Sequence, residues 1–322
     1  MKLGAFLAVF GNQKFDAALD YAKKAGLDAV EIGTGNYPGG PHCPIDALLA
    51  NKAKLAAWKA KVDDRGLEIS ALSCHGNSLH PDKAFAKKNH DVRRKTILLA
   101  EKLGVKTVVD FSGCPGESEK STKPNWVTCP WPPDFLDVLN WQWEKKVIPY
   151  WKAEARFAAN HGVNLAFEMH PGFVVYNTET MLRLRKECGK NIGANFDPSH
   201  LFWQGMDPLM SLKVLGVAKA IFHVHAKDCR IDPQNAAMNG VLDTKHYGDV
   251  LNRSWVFRTV GYGHGEDFWR DFVSVLRTVG YDGAISIEHE DSLMSQNEGF
   301  TKAVSFLQNV LLKEKLGAMW WA

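Results

Sequence analysis

The sequence predicts an α/β protein in which a single (β/α)8 barrel spans residues 1–322, with long loops after the fourth and seventh strands. One unit repeats along the chain: a helical stretch, a glycine, and then a short apolar run that ends in a polar or ionisable residue. No glycine-rich phosphate-binding loop follows the first run, which argues against a doubly wound open sheet. We therefore expect eight strands, at residues 3–9, 27–32, 67–73, 105–111, 163–169, 191–197, 219–225 and 283–289.

Each part of the repeating unit has a physical reason. Glycines such as Gly66 and Gly104 can end a helix in the left-handed conformation and release the chain into the next strand. Runs that are apolar on both faces suit a parallel sheet covered by helices. Strict alternation implies right-handed crossovers, and eight such units close into a barrel. Helical spacing of apolar residues is clear at residues 55–64, 93–103, 151–160, 268–279 and 300–312.

Composition excludes several classes of protein. A formal net charge of +3 over 322 residues is too small for a nucleic-acid surface or a polybasic membrane surface. The apolar opening, residues 1–10, has one lysine and no clear cleavage site, so we interpret it as the first strand rather than a signal peptide. No segment approaches the roughly 18 apolar residues of a membrane span. Six irregularly spaced cysteines favour a reducing compartment, and we expect a cytoplasmic protein.

Two predicted connections, residues 112–134 and 226–265, exceed the usual length of roughly 4–6 residues. Both leave the carboxyl ends of strands, which is the face where barrel active sites lie. Long aromatic loops at that face are typical of lids or of contacts between subunits. The aromatic tail Met319-Trp320-Trp321 also suggests an interface. We therefore expect a homo-oligomer, with a different partner subunit as the alternative.

Four consecutive strands end in ionisable residues, namely Glu168, Asp197, His225 and Glu288. Neighbouring strand ends lie roughly 5 Å apart in a barrel, so these groups should converge at one rim. Three carboxylates in a dry pocket would repel unless a cation held them. The sequence therefore predicts one divalent metal ion, with Mn²⁺ as the first choice and Mg²⁺, Co²⁺ or Zn²⁺ as alternatives. His223 points the same way as His225 but one layer deeper, which makes His225 the favoured ligand.

These strand ends resemble those of the xylose-isomerase-like TIM-barrel superfamily, which includes sugar isomerases, ketose 3-epimerases, inosose dehydratases and, more distantly, endonuclease IV. The resemblance spans nearly the whole barrel. It is carried by residues 167–170 (FEMH), 195–200 (NFDPSH), 223–228 (HVHAKD), 261–265 (GYGHG) and 280–289 (GYDGAISIEH). It implies that Glu168, Asp197, His225 and Glu288 hold the metal and that Glu168 and Glu288 also move protons.

The resemblance further implies an isomerase or epimerase that transfers a proton on a ketose or keto sugar through an enediolate. His200 matches a substrate contact of the family. The other expected substrate-binding residues are His75, His170, Lys227 and Arg258. Three tryptophans are candidates to stack on a sugar face, with ordinary packing as the alternative; they are Trp126, Trp131 and Trp203.

Two other functions stay open. A lyase or dehydratase acting on a 3-keto sugar, an inosose or a glycoside would use the same metal and bases, because the fold does not separate isomerisation from elimination. An endonuclease IV-like nuclease needs more ligands, including a histidine at strand four, where this chain has Asp110-Phe111-Ser112. We expect a small sugar-like substrate and neither nucleic acid nor membrane as a partner.

Overall fold

A computed structural model describes residues 1–321 of the chain. Eight parallel strands close into a barrel, which confirms the predicted fold class. The strands are β1 (Lys2–Phe6), β2 (Ala29–Gly33), β3 (Glu68–Ser73), β4 (Thr107–Asp110), β5 (Asn164–Glu168), β6 (Ile192–Phe196), β7 (Ile221–Ala226), β8 (Asp228–Ile231), β9 (Trp255–Arg258) and β10 (Ala284–Ile287). Strands β1 to β7 and β10 form the barrel in chain order, and β10 pairs with β1 to close it.

Helices cover the outside of the barrel. They are α1 (Phe15–Lys24), α2 (Ile45–Ala50), α3 (Lys52–Asp63), α4 (Lys83–Leu103), α5 (Asp134–Trp141), α6 (Ile148–Asn160), α7 (Thr178–Cys188), α8 (Ser199–Phe202), α9 (Pro208–Val217), α10 (Pro233–Asn239), α11 (Glu266–Thr278) and α12 (Gln296–Val310). A π-helical turn, Gln142–Val147, joins α5 to α6. As expected, Gly104 ends α4 in the left-handed conformation, with φ 73°.

The apolar runs predicted as strands are buried on both faces. Every residue of β2 and of β6 is buried, because the barrel interior covers one face and the helices cover the other. The first expected strand is shorter than predicted: β1 ends at Phe6, and Leu7–Phe10 forms a 3-10 turn. Apolar residues suit a buried turn as well as a buried strand, so the pattern could not place this boundary.

The connection from β7 to α11 is more ordered than the long loop that the sequence predicted. It holds the antiparallel pair β8–β9 and the short helix α10 between them. Each of these strands has four residues, which is too short for a clear alternation of apolar and polar positions. Together with the loop between β4 and α5, this segment lies at the carboxyl ends of the barrel strands.

Within residues 1–321, no helix is both long and apolar enough to cross a membrane.

Candidate active site

Four strand ends converge at the carboxyl rim of the barrel. Glu168 is the last residue of β5, Asp197 directly follows β6, His225 lies near the end of β7, and Glu288 directly follows β10. Each residue offers one nitrogen or oxygen atom, and these four atoms all lie within 4.8 Å of one another. Glu168, Asp197 and His225 are buried, and Glu288 is partly exposed. The parallel strands thus bring the predicted metal ligands together.

Glu168 accepts hydrogen bonds on both carboxylate oxygens. His200 Nε2 lies 3.1 Å from Oε1, while His75 Nε2 and Asn195 Nδ2 lie 3.2 and 3.0 Å from Oε2. Burial favours the neutral acid, but hydrogen bonds from His200, His225 and His75 outweigh it and hold the pKa of Glu168 well below its usual value. Glu168 is therefore a carboxylate at neutral pH.

The His225 imidazole is held between carboxylates on its two sides. Its Nδ1 lies 3.0 Å from Glu288 Oε2 and 3.2 Å from Glu168 Oε2. Its Nε2 lies 2.9 Å from an oxygen of Glu31, which comes from β2 on the other side of the barrel. Burial opposes protonation, but the charges of Glu31 and Glu288 dominate and raise the pKa of His225 well above its usual value. The Nε2–H group that donates to Glu31 leaves Nδ1 as the atom that can face a metal ion.

Sequence reasoning did not select Glu31, although it is a fully buried acid inside the barrel. Ser73 donates to its carboxylate, and His223 lies beside it. Burial raises the pKa of Glu31, but the charge of His225 and the hydrogen bond from His225 lower it to about 2. The available signal was a single acid in an otherwise apolar strand, Ala29-Val30-Glu31-Ile32.

His223 lies one layer below His225. Its Nδ1 is 2.9 Å from Asn195 Oδ1, and its Nε2 is 3.2 Å from Ser70 Oγ. Burial lowers the pKa of His223 to about 4, so this imidazole is neutral. One ring nitrogen of His223 nevertheless lies within 4.8 Å of a carboxylate oxygen of Glu31 and a ring nitrogen of His225. These three residues form a second group of possible metal ligands. Its hydrogen bonds tie β7 to β6 and β3 beneath the rim.

Lys227 places a buried positive charge against the carboxylates. Its Nζ lies 2.9 Å from Glu288, 3.1 Å from Glu290 and 3.2 Å from Asp197. Burial disfavours the ammonium group, yet Asp197, Glu288 and Glu290 raise the pKa of Lys227 well above its usual value. Lys227 therefore stays charged and offsets part of the negative charge at the rim.

Within the described part of the chain, one carboxylate oxygen of the cluster lacks a hydrogen bond and is free to bind a metal ion. Asp197 Oδ2 is buried and makes no hydrogen bond within residues 1–321. Lys227 Nζ and His200 Nε2 lie 3.2 and 3.3 Å away, but neither contact has hydrogen-bond geometry. A buried carboxylate oxygen without a partner is costly. Three carboxylates and one imidazole nitrogen are ligands that a divalent cation accepts, so the residues fit such an ion.

The five expected substrate-binding residues have different surroundings. His75, His170 and Lys227 line a cavity of about 360 Å³ together with Glu168 and Glu288. His200 lies beside an adjoining cavity. Arg258 donates from Nε to Asp291 Oδ2 at 3.1 Å and is not among the residues that line these two cavities. The substrate-binding role of all five stays a prediction, and the geometry favours His75, His170 and Lys227.

Asp228 organises the loop between β9 and α11. Its Oδ2 accepts backbone N–H groups of Gly261, Gly263 and His264 at 3.1, 3.1 and 2.9 Å. A Cβ atom at Gly263 would lie 2.4 Å from Asp228 Oδ1, so the close approach requires glycine there. This contact holds the GYGHG segment against the carboxyl end of the HVHAKD segment.

We expect Asp228→Asn to lower the free energy of unfolding by about 1–2 kcal/mol, because the amide N–H group would replace an acceptor that faces several donors. Urea denaturation of the variant and the wild type would measure the change. Asp232→Asn is the matched control, since Asp232 caps exposed helix α10 and asparagine caps helices equally well. Equal stability of Asp228→Asn and wild type would contradict the structural role.

Residues 19–310 match the model of the xylose isomerase-like TIM barrel family. Because this match covers more than half of the chain, the protein belongs to that family, and the resemblance seen in the sequence is confirmed.

Two relatives in sequence and one solved structure illustrate what this chain is similar to. The uncharacterized protein YfiH of Bacillus subtilis (strain 168) is 40% identical over 314 residues, which cover 97% of this chain and 99% of YfiH. The inosose dehydratase of Geobacillus thermodenitrificans (strain NG80-2) is 30% identical over 134 residues, which cover 41% of this chain and 42% of that enzyme. Among solved structures, the IolI protein with a bound zinc atom has a TM-score of 0.63 at 19% identity, over 97% of this chain and 98% of IolI. This last likeness shows a shared fold.

Proposed function

We propose that this protein is a divalent-metal-dependent isomerase or epimerase that transfers a proton on a ketose or keto sugar through an enediolate. The observation that carries the proposal is that two ionised glutamates, Glu168 and Glu288, line one cavity. Together with Asp197 and His225, the same two glutamates form a possible ligand set for a cation. Mn²⁺ is the proposed ion, because carboxylate-rich sites with one imidazole suit it. When bound, the cation supplies positive charge that stabilises the enediolate.

Glu168 and Glu288 are proposed as the two proton-transferring groups. Burial opposes ionisation of Glu288, but Lys227 and His225 hold its pKa far below the usual value. Both glutamates therefore start as carboxylates and can accept a proton from carbon. Glu168 comes from β5 and Glu288 from the end of β10, with β6 and β7 between them around the barrel. The carboxylate that removes the proton becomes a carboxylic acid, and the other gains a proton from a substrate hydroxyl group or from water before it returns one to carbon.

The neighbouring side chains offer different groups to substrate oxygens. Burial and the nearby charge of His200 lower the pKa of His170 to about 3, so its imidazole is neutral. Its Nδ1 lies 2.6 Å from the Pro171 carbonyl oxygen and donates to it, which leaves Nε2 as an acceptor for a hydroxyl group. Lys227 supplies a fixed positive charge on the same cavity. We propose that these two groups orient the sugar hydroxyls.

A lyase or dehydratase is the second candidate. It is favoured by the likeness to an inosose dehydratase over part of both chains and by the additional cavity space next to the metal ligands. One of the two glutamates would remove the proton beside a carbonyl, and a proton would go to the departing hydroxyl or alkoxide oxygen instead of returning to carbon. The two candidates differ in the product and in what the neighbouring cavity must hold.

Deuterium exchange from D₂O tests the proposed function. Wild-type protein loaded with Mn²⁺ is incubated with ketohexoses, 3-keto sugars and inososes, and NMR follows the carbon-bound protons. We expect exchange that requires the metal and stops when a chelator removes it. Epimerised product would identify an epimerase, and an unsaturated product a lyase. Metal binding without exchange of any compound would contradict the proposed proton transfer.

We expect metal affinity to rise with pH. The raised pKa of His225 means that this imidazole carries a proton at neutral pH before a cation binds, and that proton must leave for Nδ1 to become a ligand. Below that pKa, release of one proton would tighten binding by about tenfold per pH unit. Calorimetry of Mn²⁺ binding in buffers with different protonation enthalpies would count the released protons. Affinity that is constant between pH 6 and 8 would contradict the assignment of His225.

A further inference from the structure

Three cavities meet at one histidine on the carboxyl face of the barrel. His170 lines the cavity of about 360 Å³ that contains Glu168 and Glu288. It also lines a second cavity of about 370 Å³ and a third of about 450 Å³. Each volume falls in the range of roughly 300–1,000 Å³ that small-molecule sites occupy. The space next to the predicted metal ligands therefore continues past His170.

The second cavity, which we call the aromatic cleft, lies between the two long loops. It is lined on one side by the loop after β4 and on the other by the segment between β8 and β9, with α8 at its base; the lining aromatic and aliphatic residues are Trp126, Trp203, Leu242, Tyr247 and Trp255. Trp203 and Trp255 stack in parallel, with ring centroids 4.5 Å apart. These two indoles are both 4% exposed, whereas Tyr247, 53% exposed, and the partly exposed Trp126 offer aromatic surface of the kind that packs against ring-shaped ligands.

Two indole N–H groups of the aromatic cleft have no acceptor within residues 1–321. They belong to Trp126 and to Trp203, and the side chain of Trp203 is only 4% exposed. By contrast, the indole N–H of Trp255 donates to the Val241 carbonyl oxygen at 3.0 Å. An unsatisfied buried donor costs about 1–3 kcal/mol, and a ligand oxygen would remove that cost. The tryptophans therefore indicate a ligand that combines an apolar face with hydrogen-bond acceptors.

The charge of the aromatic cleft argues for a neutral ligand. Among the described residues that line it, none is a lysine or an arginine, and the one acidic side chain is Asp243. Asp243 already accepts the Ser254 backbone N–H at 2.7 Å and pairs with Lys245 at 2.9 Å. A phosphate or carboxylate group would find no cation to bind there. A pyranose ring has apolar faces, hydroxyl oxygens and no charge.

We propose that the aromatic cleft binds the second sugar ring of a disaccharide whose first ring, a keto sugar, occupies the cavity with Glu168 and Glu288. This inference rests on the proposed function, because that function places the reacting ring. The second ring packs against Trp126 and Tyr247, and one of its oxygens accepts a hydrogen bond from the indole N–H of Trp203. His170 lies between the two rings, beside the glycosidic oxygen. The substrate class is therefore a glycoside in which a second sugar ring is attached on the reducing-end side of the keto sugar. It is not a free monosaccharide.

Binding of single-ring and two-ring compounds tests the proposal. The Mn²⁺-loaded protein is titrated by calorimetry with glucose, maltose, cellobiose and 4-nitrophenyl glucosides, and with the 3-keto forms of the first three. We expect at least one disaccharide to bind ten or more times more tightly than its monosaccharide. Equal affinities throughout, or no disaccharide binding, would overturn the proposal. Preference for a nitrophenyl glucoside over both disaccharides would also overturn it, since the occupant would then be an aryl ring.

Two variants attribute the preference to the aromatic cleft. Trp203→Phe keeps an aromatic ring but removes the N–H donor, and we expect it to lower the disaccharide preference about fivefold, as for one lost hydrogen bond of about 1 kcal/mol. Leu242→Arg places a bulky charge in the cleft from a side chain that is 65% exposed, so folding should tolerate it, and it should abolish the preference. Leu251→Arg is the matched control, because Leu251 is 89% exposed in the same segment and lies outside the cleft lining. Unchanged preference in both cleft variants would overturn the proposal.

The result separates the two hypotheses. Deuterium exchange of a 3-keto monosaccharide without a disaccharide preference would leave the proposed function intact and remove the role of the cleft. A disaccharide preference that is sensitive to Leu242→Arg, without exchange of any compound, would leave the cleft intact and contradict the proposed proton transfer.

Discussion

Glu288→Gln is expected to slow substrate proton exchange by about 10² to 10⁴-fold, the range in which a positioned general base or acid contributes. The amide keeps the size of the side chain but cannot accept a proton from carbon. Glu288 lines the same cavity as Glu168, and the charges of Lys227 and His225 keep it ionised. Glu168→Gln is expected to have an effect of the same size, because either the removal or the return of the proton would fail.

Metal loss must be distinguished from base loss, because Glu288 is also a proposed ligand. Exchange is therefore measured at Mn²⁺ concentrations that saturate each variant, with the binding constant determined separately. Glu290→Gln is the matched control: Glu290 lies two residues away and contacts Lys227 at 3.1 Å, but it is outside the four-residue ligand group. We expect that control to keep most of the exchange rate. Exchange by metal-saturated Glu288→Gln at the wild-type rate would contradict the role of Glu288 in proton transfer.

Much of the rim could be predicted because strand direction and strand order are encoded by simple patterns. A buried parallel strand appears as an apolar run, and its carboxyl end appears where ionisable residues interrupt that run. This reasoning selected Glu168, Asp197, His225 and Glu288 from four separate strands, and the structure brings their ligand atoms within 4.8 Å. Their roles as metal ligands and bases stay predictions.

Glu31 and Asn195 could not be predicted in the same way, because they lie inside strands rather than at strand ends. Each directly follows a shift in strand register, between Val30 and Glu31 on β2 and between Ala194 and Asn195 on β6. Such irregularities redirect side chains near active sites, and alternation then no longer tells which face a residue occupies. Contacts across the barrel, such as that between Glu31 and His225, also join residues far apart in sequence.

The surroundings of Arg258 show a further limit. The sequence analysis named this residue as a candidate for binding substrate. In the structure, Arg258 ends β9 and donates to Asp291, which also accepts the Thr259 backbone N–H at 2.8 Å. The antiparallel pairing of β8 with β9 sets the direction in which the Arg258 side chain points. The two strands have four residues each and gave no pattern from which the pairing could be inferred. A side chain on an unpredicted element could not be placed.

Glu31→Gln is expected to weaken Mn²⁺ binding by about 10 to 100-fold, although Glu31 is not one of the four proposed ligands. The Glu31 carboxylate accepts from His225 Nε2 at 2.9 Å, which fixes the ring orientation and keeps Nδ1 on the side of the other proposed ligands, 3.0 Å from Glu288 Oε2. Glutamine can present its NH₂ group to Nε2 instead, and the imidazole would then lose this orientation. Calorimetry of Mn²⁺ binding measures the change, with Glu68→Gln, an exposed position on the neighbouring strand, as the control.

The pH dependence distinguishes this role from general loss of structure. The Glu31 charge raises the pKa of His225, so Glu31→Gln should lower that pKa and reduce the number of protons released when Mn²⁺ binds. At low pH the variant has less proton competition to overcome, which offsets part of its weaker coordination. The loss of affinity should therefore be larger at high pH than at low pH. A variant that folds normally but shows the same loss at every pH, or no loss, would mean that Glu31 does not act through His225.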